Sequence, residues 1–175
     1  MAYVASCWDA LAHLSGLMPG LKYMEIGVGA GDSARVVIHH GDPRELVLFD
    51  NWGAEYGGRG YGSEQPVSEL LKPYKGTQIT FVNGDSKDTV PKYPDEDFDL
   101  IFVDGDHSFA GCWADMSNAW PKLKVQGFMV IDDMNLHPEL RDCVQKFLRE
   151  TPGCGLVDMV LSKVNGHAVI TKVGQ

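Results

Sequence analysis

Five short apolar runs punctuate the chain: LKYMEIG (21–27), ELVLFD (45–50), TQITFV (77–82), FDLIFVD (98–104) and GFMVIDD (127–133). Each has strand length and is nearly continuous in hydrophobicity, as a strand covered on both faces must be, so the pattern predicts buried parallel strands. Between the fourth and fifth runs, Phe109, Trp113, Met116 and Trp120 fall on one face of a helix that Pro121 stops. After the fifth, Pro138 suits a first helical turn, and Leu140, Val144, Phe147 and Leu148 continue an apolar stripe until Thr151-Pro152-Gly153 ends it. The tail changes character. LVDMVLSKV, then Asn165-Gly166, then HAVITKV is the pattern of two antiparallel strands joined by a two-residue turn. Together these elements predict an α/β fold: a doubly wound, mostly parallel, seven-stranded sheet with a C-terminal antiparallel hairpin. One domain is expected over residues 1–175, opened by a helix within residues 1–20.

One segment breaks the regularity. NWGAEYGGRGYGSEQP, residues 51–66, carries five glycines and three aromatics where a crossover helix should start. It is expected to form a long loop over the carboxyl ends of the strands, with Tyr56, Arg59 and Tyr61 available to a substrate. The composition, 44% hydrophobic and 22% charged, is that of an ordinary globular domain. A net charge of −9 with scattered Lys and Arg repels a phosphate backbone, which excludes nucleic acid as a first choice of partner and leaves a small molecule. No stretch approaches the ~20 apolar residues of a membrane span, and the N-terminus lacks the basic region of a signal peptide, so a cytoplasmic protein is expected. Cys7, Cys112, Cys143 and Cys154 lie far apart in sequence, with neither zinc spacing nor a disulfide framework, and are expected to be reduced and half-buried.

Candidate chemistry gathers at the strand ends. Gly27, Gly29 and Gly31 follow the first strand directly and precede a helix starting near Asp32, so they make the first βα turn, where backbone can approach a ligand closely. The spacing is GxGxG, unlike the GxGxxG of a dinucleotide pyrophosphate site, and Glu25 precedes it inside the strand. Asp50, 25 residues beyond Glu25, ends the second strand beside this turn, where a carboxylate can accept both hydroxyls of a ribose. Asp85, in Gly84-Asp85-Ser86 at the end of the third strand, suits an adenine amino group. EIGVGAG, LFD, NGDS, FDLIFVDGDH and QGFMVIDDM, in that order and spacing over roughly residues 20–173, resemble a class I S-adenosylmethionine-dependent methyltransferase. VDGDH with a downstream Asp-Asp is similar in particular to small-molecule O-methyltransferases of the catechol and caffeoyl-CoA type and to relatives acting on sugar or antibiotic hydroxyls. The resemblance implies that Glu25 and the glycine turn hold the methionine part of S-adenosylmethionine, Asp50 the ribose, and Asp85 with Ser86 the adenine. Asn51 and Trp52 would flank the adenine or ribose, and Asp104 would complete the cofactor crevice. Only about twenty residues precede the first strand, where such relatives use a longer helical segment to cover substrate or pair subunits, so neither substrate closure nor an oligomer follows from the resemblance, and an oligomer is left open.

Asp104 ends the fourth strand and Asp132 and Asp133 end the fifth. Neighbouring strands lie about 5 Å apart, so the three carboxylates should converge, and a cation or bound proton must then relieve their repulsion. Hard oxygen donors suit Mg2+, Mn2+ or Ca2+ rather than zinc. In the catechol-type enzymes the matching positions, two aspartates and an asparagine, hold a divalent ion; here Asp133 stands where the asparagine would be. The competing structural role is capping, by Asp132 and Asp133 of the following turn and by Asp106 of the next helix. His107 occupies the position, three residues after Asp104, that carries a lysine taken as general base in that family, and its ordinary pKa near ~6.5 suits the task. His13, His137, His167 and the His39-His40 pair are expected to be surface residues.

The resulting expectation is an enzyme, with His107 and Asp104 catalytic, that moves a methyl group from S-adenosylmethionine to a hydroxyl oxygen of a small molecule with the help of a divalent metal. The alternatives are an NAD-dependent oxidoreductase on the same general fold and a non-catalytic S-adenosylmethionine-binding domain.

Overall fold

A computed structural model describes residues 6–52, 63–161 and 166–174. Seven strands, β1 (Lys22–Ile26), β2 (Glu45–Asp50), β3 (Gln78–Asn83), β4 (Phe98–Val103), β5 (Leu123–Ile131), β6 (Cys154–Val160) and β7 (His167–Lys172), form one sheet in the order β3-β2-β1-β4-β5-β7-β6. The first five pair in parallel and β7 joins antiparallel to both β5 and β6, which is the doubly wound sheet with a C-terminal antiparallel pair that the hydrophobic pattern predicts. The Asn165 end of the tail's turn lies outside the described residues. So do residues 53–62 of the glycine-rich segment, including Tyr56, Arg59 and Tyr61; its last three residues, 64–66, belong to helix α3 (Glu64–Leu71) rather than to a loop.

The helices cover both faces. α1 (Cys7–Leu17), α2 (Asp32–Gly41) and α3 pack on one, where Tyr23, Leu46, Leu48, Leu100, Phe102 and Val130 point. α4 (Ser86–Thr89), α5 (Phe109–Ala119) and α6 (Pro138–Glu150) pack on the other, where Met24, Val47, Phe49, Ile101, Val103 and Met129 point. Successive strand residues thus alternate between two apolar layers, which the buried Glu25 of β1 interrupts. Ser6 starts α1 with a reciprocal capping box: its hydroxyl accepts from the Asp9 amide and the Asp9 carboxylate accepts from the Ser6 amide. Among the described residues no helix is long and apolar enough to cross a membrane.

This topology sets the site. The chain winds outward from β1 to β2 and β3, then crosses back to β4 on the other side of β1, so the loops leaving β1 and β4 diverge and open a crevice at their carboxyl ends. Backbone hydrogen bonds carry the staircase past the strand ends: Gly27 donates to the Phe49 carbonyl (2.9 Å), Asp104 to Ile26 (2.8 Å) and Asp132 to Val103 (3.1 Å).

Candidate active site at the carboxyl edge of the sheet

The glycine turn is shaped by close approach. Gly27 has φ 86°, and a Cβ there would overlap the Asp104 carbonyl, so β1 and β4 can leave the sheet this close together only with a bare backbone. Gly29 and Gly31 also have positive φ, 53° and 82°; among the described residues a Cβ at Gly29 would meet nothing within 4 Å. Asp50 holds the turn from the neighbouring strand. Its Oδ2 accepts from the Val28 amide (2.8 Å) and the Gly29 amide (3.0 Å), and its Oδ1 from the Trp52 amide (2.9 Å). The carboxylate expected to meet a ribose therefore also organises the backbone beneath that ribose. Trp52 continues from Asp50 with φ 35° and packs its ring edge-on to Phe81, with centroids 6.2 Å apart, while Asn51 is exposed at the same edge.

Glu25 is fully buried in β1. Ser33, at the start of α2, donates its hydroxyl to Oε1, and Oε2 has no partner among the described residues. Burial pushes its carboxyl up to about 8, against the Ser33 and Tyr23 hydroxyls, which favour the charged form. A buried carboxyl oxygen with no hydrogen bond among the described residues, two positions before the glycine turn, fits a ligand that brings its own donor. At the next strand end, Asp85 caps α4 by accepting from the Lys87 amide (2.9 Å), and Ser86 donates its hydroxyl to Asp115. Asp115, on α5, is a residue the sequence reading did not single out; it is buried, and desolvation raises its carboxyl to about 6. The α5 cap is Ser108, whose hydroxyl accepts from the Gly111 amide (3.0 Å), rather than Asp106.

The acidic cluster differs from a three-carboxylate chelate. Asp132 is mostly buried and accepts from the Cys7 thiol at 2.9 Å; its Oδ1 has no partner among the described residues, and burial raises it to about 6. Asp104 and Asp133 instead face His107, whose Nε2 lies 3.3 Å from Asp104 Oδ1 and 3.7 Å from Asp133 Oδ2. Burial raises the Asp104 carboxyl while His107 opposes the rise. The hydrogen bond to Asp104 raises His107, burial opposes it, and the charges of Asp104, Asp133 and Asp132 add to the rise. Asp104, Asp132 and Asp133 are close enough for their charges to act on one another. Among the described residues, the metal-capable group whose ligand atoms all lie within 4.8 Å of one another is His107, Asp133 and His137. The three aspartates expected to hold a hard ion are not such a group at that spacing. His137, expected on the surface, stacks at a tilt on His107 with ring centroids 4.7 Å apart. The other exception is His167, buried at the start of β7 opposite Val160 with neither ring nitrogen partnered among the described residues.

Similar proteins share this architecture. The chain is 30% identical over 87 residues to demethyldecarbamoylnovobiocin O-methyltransferase of Streptomyces niveus, a match spanning 49% of the chain and 33% of the relative. It is 27% identical over 93 residues to the sterol 24-C-methyltransferase erg6 of Aspergillus fumigatus, covering 53% of the chain and 22% of the relative. The matches thus span a third or less of these relatives' length. The solved structure of the O-methyltransferase NovP superposes on 95% of the chain and 79% of its own at a TM-score of 0.75 and 19% identity, a likeness of fold. A family profile described as a methyltransferase domain matches residues 24–134, from the middle of β1 past the aspartate pair. That is more than half of the chain, and the chain belongs to the methyltransferase domain family, in its class I, seven-stranded form.

Proposed function

We propose that the chain transfers a methyl group from S-adenosylmethionine to a hydroxyl oxygen of a small molecule. The observation that carries this reading is the Asp104–His107 pair: a basic imidazole held by a carboxylate at 3.3 Å, on the loop whose backbone abuts the glycine turn at Gly27. S-adenosylmethionine, when bound, supplies an electrophilic methyl group on a sulfonium that departs in line. Glu25, Gly27, Gly29, Gly31, Asp50, Asn51, Trp52, Asp85, Ser86 and Asp104 would hold it. The Glu25 oxygen without a hydrogen bond among the described residues and the room beside Gly29 support that assignment. His107 accepts the proton that the hydroxyl must lose, and Asp104 orients the ring and stabilises its charged form. Orientation at the crevice supplies the rest, because a displacement of this kind depends chiefly on alignment. The O-methyltransferase relative and fold neighbour favour oxygen as the acceptor, whereas the sterol C-methyltransferase relative makes carbon the second reading.

Calorimetric titration with S-adenosylhomocysteine and, separately, with NAD tests the cofactor. Binding of the first and not of the second is expected, and the reverse would make the chain an oxidoreductase. With a panel of phenolic and sugar acceptors, His107→Ala should lower kcat by about 10²- to 10⁴-fold and leave S-adenosylhomocysteine affinity unchanged. Wild-type turnover in that variant would remove His107 from the chemistry. A product methylated on carbon would shift the acceptor assignment, and binding without turnover on any acceptor would leave a non-catalytic binding domain.

A further inference from the structure

His107 and His137 reach one another from different elements. His107 stands in the loop between β4 and α5, and His137 immediately precedes α6. Asp133 leaves β5 in a left-handed conformation, φ 55°, and its carbonyl accepts from the His137 amide at 3.2 Å, closing a turn that brings both side chains back to the end of β4. The His137 side chain makes no helix-capping hydrogen bond, so its ring is not committed to α6. All three residues are partly exposed, which leaves an entry path from solvent.

The donor set is two imidazoles and one carboxylate, with ligand atoms within 4.8 Å of one another. In a tetrahedral site with bonds of about 2.1 Å, neighbouring donors sit about 3.4 Å apart, so side-chain rotations suffice to close this group on an ion. Imidazole nitrogens favour borderline transition ions over Mg2+ or Ca2+, which want oxygen. The surrounding field suits a cation: Asp104 and Asp132 flank the group, and among the described residues neither lysine nor arginine pairs with Asp104, Asp132 or Asp133. Asp104, beside His107, is placed to receive the second ring proton and fix the imidazole for coordination.

We propose that His107, Asp133 and His137 form a binding site for a borderline divalent transition ion such as Zn2+, and that the ion inhibits the enzyme by taking the imidazole lone pair that a base would use. The binding claim stands on the donor geometry alone; the inhibition claim rests on the methyl-transfer reading above. Free ion and proton acceptor compete for one nitrogen, so zinc acts here as a brake and not as a cofactor.

The test uses metal-free protein, Co2+ as a spectroscopic probe and Zn2+ in competition with a chromophoric chelator. One Co2+ per chain with a visible d–d band is expected, displaced by Zn2+ and untouched by excess Mg2+. His137→Ala should lower Zn2+ affinity by about tenfold or more, while S-adenosylhomocysteine affinity, measured on the same sample, stays at the wild-type value. His137→Gln serves the same purpose should the alanine variant fail to fold. His40→Ala, which disrupts the surface pair His39–His40, should retain full affinity. Absence of stoichiometric uptake, wild-type Zn2+ affinity in both His137 variants, loss of affinity in His40→Ala, or displacement by Mg2+ overturns the site. Under turnover, Zn2+ should inhibit the wild-type enzyme and a chelator restore it. Zinc binding without inhibition overturns the second claim and keeps the first, and a failure of S-adenosylhomocysteine to bind wild-type protein sinks the methyl-transfer reading without touching the metal result.

Discussion

Gly27 and Gly29 sit two residues apart in one turn yet meet different constraints. A side chain at Gly27 would collide with backbone, the Asp104 carbonyl, which cannot rotate aside; one at Gly29 would meet none of the described residues within 4 Å and suffer only its left-handed φ of 53°. Gly27→Ala should therefore cost more than about 2 kcal/mol of stability, because β1 and β4 must separate, and Gly29→Ala about 1 kcal/mol. Urea unfolding of the two variants measures the difference, and equal costs would mean that the strand ends yield easily. Ligand affinity should show the opposite emphasis: the methyl at Gly29 projects into the space left for a bound molecule, so its loss in S-adenosylhomocysteine binding should exceed its loss in stability. The glycine turn and the aspartates were legible in the sequence because they follow apolar runs directly, where the chain must emerge at the sheet edge. His137 was not. Its approach to His107 depends on a left-handed Asp133, a conformation that a non-glycine residue adopts only when its surroundings impose it.

At the scale of the element, β1 carries a carboxyl through the middle of the sheet. Glu25 holds its proton in the folded chain up to about 8 and releases it near its ordinary value of 4.5 when unfolded. Between those values the folded state binds more protons, so the contribution to stability is full below pH 4.5 and is lost as pH rises toward 8. Glu25→Gln keeps an oxygen for the Ser33 hydroxyl and removes the titration. Its melting temperature relative to wild type should rise between pH 5 and pH 8, as differential scanning calorimetry would record; a constant offset would mean that Glu25 stays ionised in the fold. The five parallel strands were readable because burial on both faces leaves no alternation to confuse them. The first half of β5 escaped: Val125 and Gln126 are exposed, Gln126 has φ 67°, and the pairing with β4 shifts register between Phe98 and Leu100. Such an irregular, half-solvated stretch reads as a turn. His167 was misplaced for the converse reason, since a polar residue beside a turn gives no sign that antiparallel pairing will draw it under neighbouring elements.

For the molecule as a whole, the first helix reaches the reactive edge through the Cys7 thiol, which donates to Asp132. Burial foremost, and the adjacent carboxylate second, push that thiol far above its ordinary range, so docked it is unreactive. Undocking would expose it to water and return it to ordinary acidity. The rate at which a thiol-specific alkylating reagent consumes Cys7, followed by mass spectrometry of the peptide, then becomes a clock for openings of the first helix. Saturating S-adenosylhomocysteine should slow that clock if occupancy of the crevice stabilises the edge on which Asp132 stands. A protein with no reporter added to it would in this way count its own excursions from the closed state, one labelled sulfur at a time.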